Sequence, residues 1–301
     1  MALHALAGDR VELTVVAPGN HFVDRPLATK EPYAVGRIRQ VPVDRAARDA
    51  GATLFPLTVE SVDTRARIVS TVRGRQFEYD ALVLALGADA VPEVPRAITW
   101  DDRSAADMLA GLLQGFEQGY RLSLAVFVPP GPGWPLRAFE LALLITLDRN
   151  GHRRADDDHH AGTLGAGASR ASGLRTRPKE VARAGVAVVS ADRVEIEQGQ
   201  RATVALEPSG QRLEVDRLLA LPGLRGRPVA GLPTDADARG FIEVDEHCRV
   251  RGLDRVWAVG DCTAFPVKSG GFAAEHAVPR TSRRVPALRS NRGCSTRFVK
   301  G

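Results

Sequence analysis

The run Val256-Trp257-Ala258-Val259-Gly260-Asp261-Cys262-Thr263 ends an apolar, β-branched segment on a glycine and an acid. A buried strand there would deliver both residues at its carboxyl end. Gly260 lets the backbone come close to a ligand. The Asp261 carboxylate can accept hydrogen bonds from sugar or ribityl hydroxyls, as an acid does at the switch point of an open α/β sheet. Downstream, Lys268-Ser269-Gly270-Gly271-Phe272-Ala273-Ala274 opens a helix through two glycines. A helix start offers free N–H groups and the positive end of a dipole, which suits the electron-rich edge of a flavin ring. Lys268, one turn away, either bears on the charge of that ring or is a surface lysine. The competing reading of the whole run is a strand–turn–helix with incidental glycines.

Other chemistry-bearing residues point to plainer roles. The cysteines are Cys248, Cys262 and Cys294, with no CxxC or CxxxxC spacing. That disfavours a redox dithiol, a thiolate metal site and a disulfide framework, and fits a reducing, cytoplasmic setting. Cys262 reads as a small buried residue in a tight turn. Asp156-Asp157-Asp158-His159-His160 holds metal-ligand residue types. Consecutive residues cannot all face one ion without a sharply bent loop, so a solvated loop is expected and no metal site is assigned. His247 and His276 have no acid partner visible in the sequence and are expected to be structural or surface residues.

Gly260-Asp261-Cys262-Thr263, with Pro266-Val267-Lys268-Ser269-Gly270-Gly271 and Ala273-Ala274, resembles the second flavin motif of pyridine nucleotide-disulfide oxidoreductases. This superfamily includes type II NADH dehydrogenases and sulfide:quinone oxidoreductases. Tyr79-Asp80-Ala81-Leu82-Val83-Leu84-Ala85-Leu86-Gly87-Ala88 is similar to the family strand whose end lies by the flavin. Gly240-Phe241-Ile242-Glu243-Val244 is similar to the strand before the glycine–acid motif. Leu13–Pro18, with His21-Phe22 and Arg25-Pro26-Leu27, looks like the second strand and its loop. The resemblance covers roughly residues 3–147 and 186–277. It implies FAD as cofactor, held by Gly87, Ala88, Gly260, Asp261, Lys268, Gly270 and Gly271. It also implies a small-molecule electron donor and acceptor.

The departures from the family pattern bear on the same cofactor. The family opens with a strand and a GxGxxG turn for the FAD diphosphate. Residues 1–10 instead read as the end of the following helix, as in an N-terminally truncated chain. Ala17-Pro18 stand where the ribose-binding acid belongs. In the second domain the glycine positions fall on Gly133, Pro135 and Ala138. Proline removes an N–H that would grip phosphate, which argues against ordinary NAD(P)H binding.

Four segments must position these residues. Residues 1–100 form the first part of an FAD domain, 101–225 an inserted NAD(P)-like domain, 226–278 the return part, and 279–301 a disordered tail. The fold class is α/β, with two Rossmann-like domains of which the first is incomplete. Strands are expected at 11–16, 54–59, 66–72, 76–79, 79–87, 122–128, 186–190, 193–196, 201–206, 213–221, 240–245 and 256–259. Helices are expected at 104–118, 136–147 and from 272. Residues 21–50 show no clean period. Residues 155–177 and 279–301 lack large apolar side chains at regular spacing. A shifted reading frame in an ancestral gene would explain both stretches.

The 301 residues are 44% hydrophobic and 26% charged, with net charge +5. They are enough for two domains. The arginines are scattered and accompany no nucleic-acid-binding pattern, so no nucleic-acid partner is expected. No apolar run approaches the roughly 18 residues of a spanning helix, and no secretory signal opens the chain. The expected function is FAD-dependent oxidoreduction like that of NADH:quinone or sulfide:quinone oxidoreductases. The alternative is a degenerate binding module that has lost tight FAD. Membrane docking and oligomeric state leave no mark in the sequence.

Overall fold

The computed structural model describes residues 10–24, 29–30, 39–102, 104–117, 123–131, 133, 135–152, 162–166, 186–190, 193–197, 202–234, 239–266, 268 and 295–300. The chain divides into two units. One comprises Met1–Asp24, Arg39–Asp89 and Arg225–Gly301; the other comprises Arg25–Ile38 and Ala90–Leu224.

The first unit is built on a five-stranded parallel sheet. Its order is Val256–Ala258, Ala81–Ala85, Ser295–Lys300, Glu12–Val16, Ala52–Phe55. Ala81-Leu82-Val83-Leu84-Ala85 is apolar throughout because both faces are covered, as parallel strands require. Leu82 and Leu84 enter a core with Val16, Val69, Phe77, Ile242 and Ala258. On the other face Ala81 and Val83 meet Cys248, Trp257 and Val259. An antiparallel trio, Val59–Asp63, Ile68–Thr71 and Gln76–Glu78, gives Val62, Val69 and Phe77 to the first of these cores. The turn at Arg73-Gly74-Arg75 forms, with Gly74 at φ 75°.

The sheet contains one strand that the composition of the tail conceals. Ser295–Lys300 lies at the centre, parallel to both neighbours, pairing Val299 with Val16 on one side and with Leu84 on the other. The reading of 279–301 as disordered is therefore corrected for these six residues. A six-residue run suffices when two parallel edges flank it, because the neighbours supply the hydrogen bonds that its own pattern does not advertise. Residues 21–50 also hold more order than their prolines suggest. His21–Asp24 pairs antiparallel with Arg39–Pro42. Pro42 then precedes the helix Val43–Asp49, a place where its missing N–H costs little. Gly240–Asp245 departs the other way, making isolated bridges through Ile242 and Val244 rather than a continuous strand.

The second unit is also built on a five-stranded parallel sheet, ordered Ile98–Thr99, Arg217–Ala220, Leu124–Val128, Gly162–Ala166, Val186–Ser190. Leu124–Val128 is buried at every residue and feeds a loop and the helix Leu136–His152. Leu109 from the helix Ala105–Glu117 and Leu141 share its core with Trp100 and Leu219. The strand that this unit needs after its long helix is Gly162–Ala166, inside the small-residue stretch that looked structureless. The helix itself extends over Gly151 to His152. The meander Arg193–Glu197, Ala202–Glu207, Gln211–Val215 is antiparallel, and Arg217–Ala220 returns to the parallel sheet. The expected helix from Phe272 and the helix end at residues 1–8 lie outside the described residues.

Candidate functional site at the carboxyl edge of the first sheet

All five strands of the first unit's parallel sheet end at one edge. A single row across the sheet runs Ala258, Leu84, Val299, Val16, Phe55. The residues just past that row form the edge, and Gly260, Asp261, Gly87 and Lys300 belong to it.

Gly260 has φ 73° and opens a 3-10 turn, Gly260–Cys262, straight off the strand. That left-handed backbone is a reason for glycine here. Three bonds fix the turn. The Val259 N–H donates to the Leu84 carbonyl at 2.9 Å. The Thr263 N–H and hydroxyl both donate to the Gly260 carbonyl, at 3.2 and 2.9 Å. Cys262 is fully buried, and its thiol donates to the Val259 carbonyl at 3.2 Å. Burial pushes that thiol pKa up, so it stays protonated and non-nucleophilic. This matches the reading of Cys262 as a packing residue.

Asp261, the next residue, is half-buried and has no hydrogen-bond or ion-pair partner among the described residues. A carboxylate left unpaired at the end of a buried strand is an acceptor held ready for a donor. Gly87 closes the neighbouring strand at φ 73°, and a Cβ there would meet nothing within 4 Å. Its glycine therefore answers a backbone requirement beside open space. Ala88 starts the strand Ala88–Val91. This segment is pinned by Arg227, which pairs with Asp89 at 2.7 Å and donates to the Leu86 carbonyl at 3.4 Å.

Lys268 is buried rather than on the surface. Its ammonium donates to the Thr263 carbonyl and lies 4.1 Å from the centre of the Phe241 ring. The lysine thus braces the turn that presents Asp261. Gly270 and Gly271 lie outside the described residues, as do His276, Cys294 and Asp156–His160. His247 sits in a turn whose N–H groups, with that of Arg249, are held by Asp245 Oδ1 at 2.8 and 2.9 Å. It belongs to a surface turn.

In the second unit, the corresponding edge follows Leu124–Val128. A Cβ on Gly133 would meet nothing within 4 Å. The Ala138 N–H, which a phosphate would use, already donates to the Pro135 carbonyl at 3.0 Å. Asp102 accepts from Trp100 Nε1 and from Arg137 Nη1, each at 2.8 Å, fixing the arginine at the start of the long helix. Sequence reading missed this trio because its members are 35 residues apart and carry no motif.

Comparison with known proteins accords with this arrangement. Residues 175–286 match the family described as pyridine nucleotide-disulphide oxidoreductase. An NADH dehydrogenase-like protein of Mycobacterium tuberculosis is 28% identical over 282 residues, covering 86% of this chain and 68% of the relative. Over that stretch and over most of its length, the chain is similar to proteins of the pyridine nucleotide-disulphide oxidoreductase superfamily. An apoptosis-inducing factor homolog of Dictyostelium discoideum is 20% identical, covering 89% of this chain and 72% of that protein. Among solved structures, the sulfide:quinone oxidoreductase of Aquifex aeolicus superposes with a TM-score of 0.76 at 16% identity, covering 93% of this chain and 71% of that one. That structure and this chain share a fold. Among the described residues, no helix is long and apolar enough to cross a membrane.

Proposed function

We propose that the chain is an FAD-dependent oxidoreductase that passes electrons from a small donor, a nicotinamide or a sulfide, to a small acceptor of the quinone class. The observation that carries this reading is the Asp261 carboxylate beside Gly260, without a partner among the described residues, at the sheet edge shared with the open Gly87. These residues fit the ribityl and sugar side of a flavin dinucleotide: an acceptor for hydroxyls, and backbone that allows close approach. The flavin, when bound, supplies the two-electron chemistry.

The chain's own residues do the positioning. Asp261 would accept from ribityl hydroxyls. Gly87 and Ala88 would border the ring, with Arg227 and Asp89 holding that segment in place. Lys268 would keep the Gly260–Thr263 turn from collapsing into the space the ligand takes. Gly270 and Gly271 would supply N–H groups to the ring edge. Small-molecule donors and acceptors follow from the same reading. In the second unit, the use of the Ala138 N–H by Pro135 speaks against a nicotinamide dinucleotide held by this loop in the usual way. That favours a donor that needs no phosphate loop.

The test is the visible spectrum of purified protein titrated with FAD. Flavin bands approaching one per chain are expected. Asp261→Asn should raise the FAD dissociation constant about tenfold or more, since it weakens hydrogen bonds to a charged group. A wild-type protein that stays colourless with added FAD would favour a binding module without flavin chemistry.

A further inference from the structure

The backbone of Ser295–Lys300 joins two halves of the first sheet. It makes five residue pairs with Glu12–Val16 on one side and five with Ala81–Ala85 on the other. Beyond it the sheet is two strands wide in each direction: Glu12–Val16 with Ala52–Phe55, and Ala81–Ala85 with Val256–Ala258. These two pairs also meet through residues that are not on the central strand. Val16 and Phe55 of one pair, and Leu82, Leu84 and Ala258 of the other, pack into one core with Val62, Val69 and Phe77. That core does not need the central strand to hold together. The strand supplies backbone partners for two facing edges and a separation of two strand spacings, about 10 Å, between the pairs. Its own pattern gives little drive to stay, since only Phe298 and Val299 are strongly apolar. Seating it also closes a loop of nearly the whole chain. Elements held by backbone pairing against such a cost open at a lower free energy than the surrounding core.

We propose that Ser295–Lys300 is a reversible insert, which leaves and re-enters the first sheet while the rest of that unit stays folded. Its seating fixes the distance between the two strand pairs, and with it the edge that carries Gly87 and Asp261. A ligand that engages this edge binds the seated form better than the open one. Ligand and strand then stabilise each other by linkage, in equal measure. The linkage rests on the FAD reading for its ligand; the separate opening of the strand does not.

The experiment is amide hydrogen exchange on the full-length wild type, with and without FAD, each amide corrected for its intrinsic rate. Two reference amides lie on the far side of Ala81–Ala85 from the insert: Leu82, which donates to the Arg255 carbonyl, and Val259, which donates to the Leu84 carbonyl, both at 2.9 Å. Leu221, which donates to the Phe127 carbonyl at 2.8 Å, reports on the second unit. Without FAD, the amides of 295–300 should exchange at least about tenfold faster than Leu82 and Val259, the reverse of the order in a rigid sheet. Saturating FAD should slow them about tenfold or more and leave Leu221 unchanged. Val299→Pro removes a donor between Val16 and Leu84. It should weaken FAD about tenfold while Leu82 stays protected. Amides of 295–300 that exchange no faster than Leu82 and Val259 overturn the proposal, as does FAD that binds without slowing them. Unweakened FAD binding by Val299→Pro overturns the linkage. Each of these outcomes leaves the flavin reading standing. A wild type that binds no FAD overturns the flavin reading, while faster exchange of 295–300 in the same protein still upholds the separate opening.

Discussion

Cys262 follows the acid of the candidate site, yet its surroundings deny it chemistry of its own. The side chain is fully buried against the Leu84 and Val259 carbonyls. Burial raises its pKa, so the folded state favours the neutral thiol. The sign follows directly. A raised acid pKa gives a stabilisation that is complete below the ordinary thiol value, about 8.5, and is lost as pH rises through and above it. The urea midpoint of the wild type should therefore fall between about pH 8 and about pH 10 more steeply than that of Cys262→Ala. In the folded protein, the peptide carrying Cys262 should resist alkylation at neutral pH. Parallel midpoint curves for the two proteins, or rapid alkylation, would show the thiol to be open to solvent.

The strand Ser295–Lys300 separates what the sequence displays from what it hides. Ala81–Ala85 is legible because a strand buried on both faces must be continuously apolar, and it is. Gly260 and Asp261 are legible because strand, glycine and acid are contiguous. Ser295–Lys300 is not, since only Phe298 and Val299 in it are strongly apolar, and the residues that shape it lie some 280 positions earlier in Glu12–Val16. Gly162–Ala166 is hidden for the same reason, its partners being Leu124–Val128 and Val186–Ser190. Tertiary pairing overrides weak local propensity at both places. A central strand also has a specific vulnerability. Proline cannot donate to the ladder and is confined to edges and bulges. Phe298→Pro, between Val15 and Val83, should lower the melting temperature by at least about 2 °C, taking one lost hydrogen bond and its strain together as over 1 kcal/mol. Unchanged melting would mean that the strand adds nothing to the sheet.

At the scale of the molecule, one unit is inserted into the other. The first sheet joins residues near both ends of the chain, while the second uses a continuous stretch between them. Among the described residues the cores do not mix. Leu82, Leu84 and Ile242 belong to clusters of the first unit, and Leu109, Leu141 and Leu219 to clusters of the second. Two separate cores in one chain allow two unfolding transitions rather than one. Leu84→Ala and Leu141→Ala remove equivalent, fully buried side chains from the two cores. Each should cost about 2–5 kcal/mol. In a urea titration, Leu84→Ala should shift one transition and Leu141→Ala the other. FAD should move only the transition that Leu84→Ala moves, because a ligand stabilises the state that binds it. The first unit should also be the slower to refold, since pairing Glu12–Val16 with Ser295–Lys300 closes nearly the whole chain. A single transition shifted equally by both substitutions would mean that the two cores share one cooperative fold, and the cofactor would then stabilise the whole chain rather than the unit that carries Asp261.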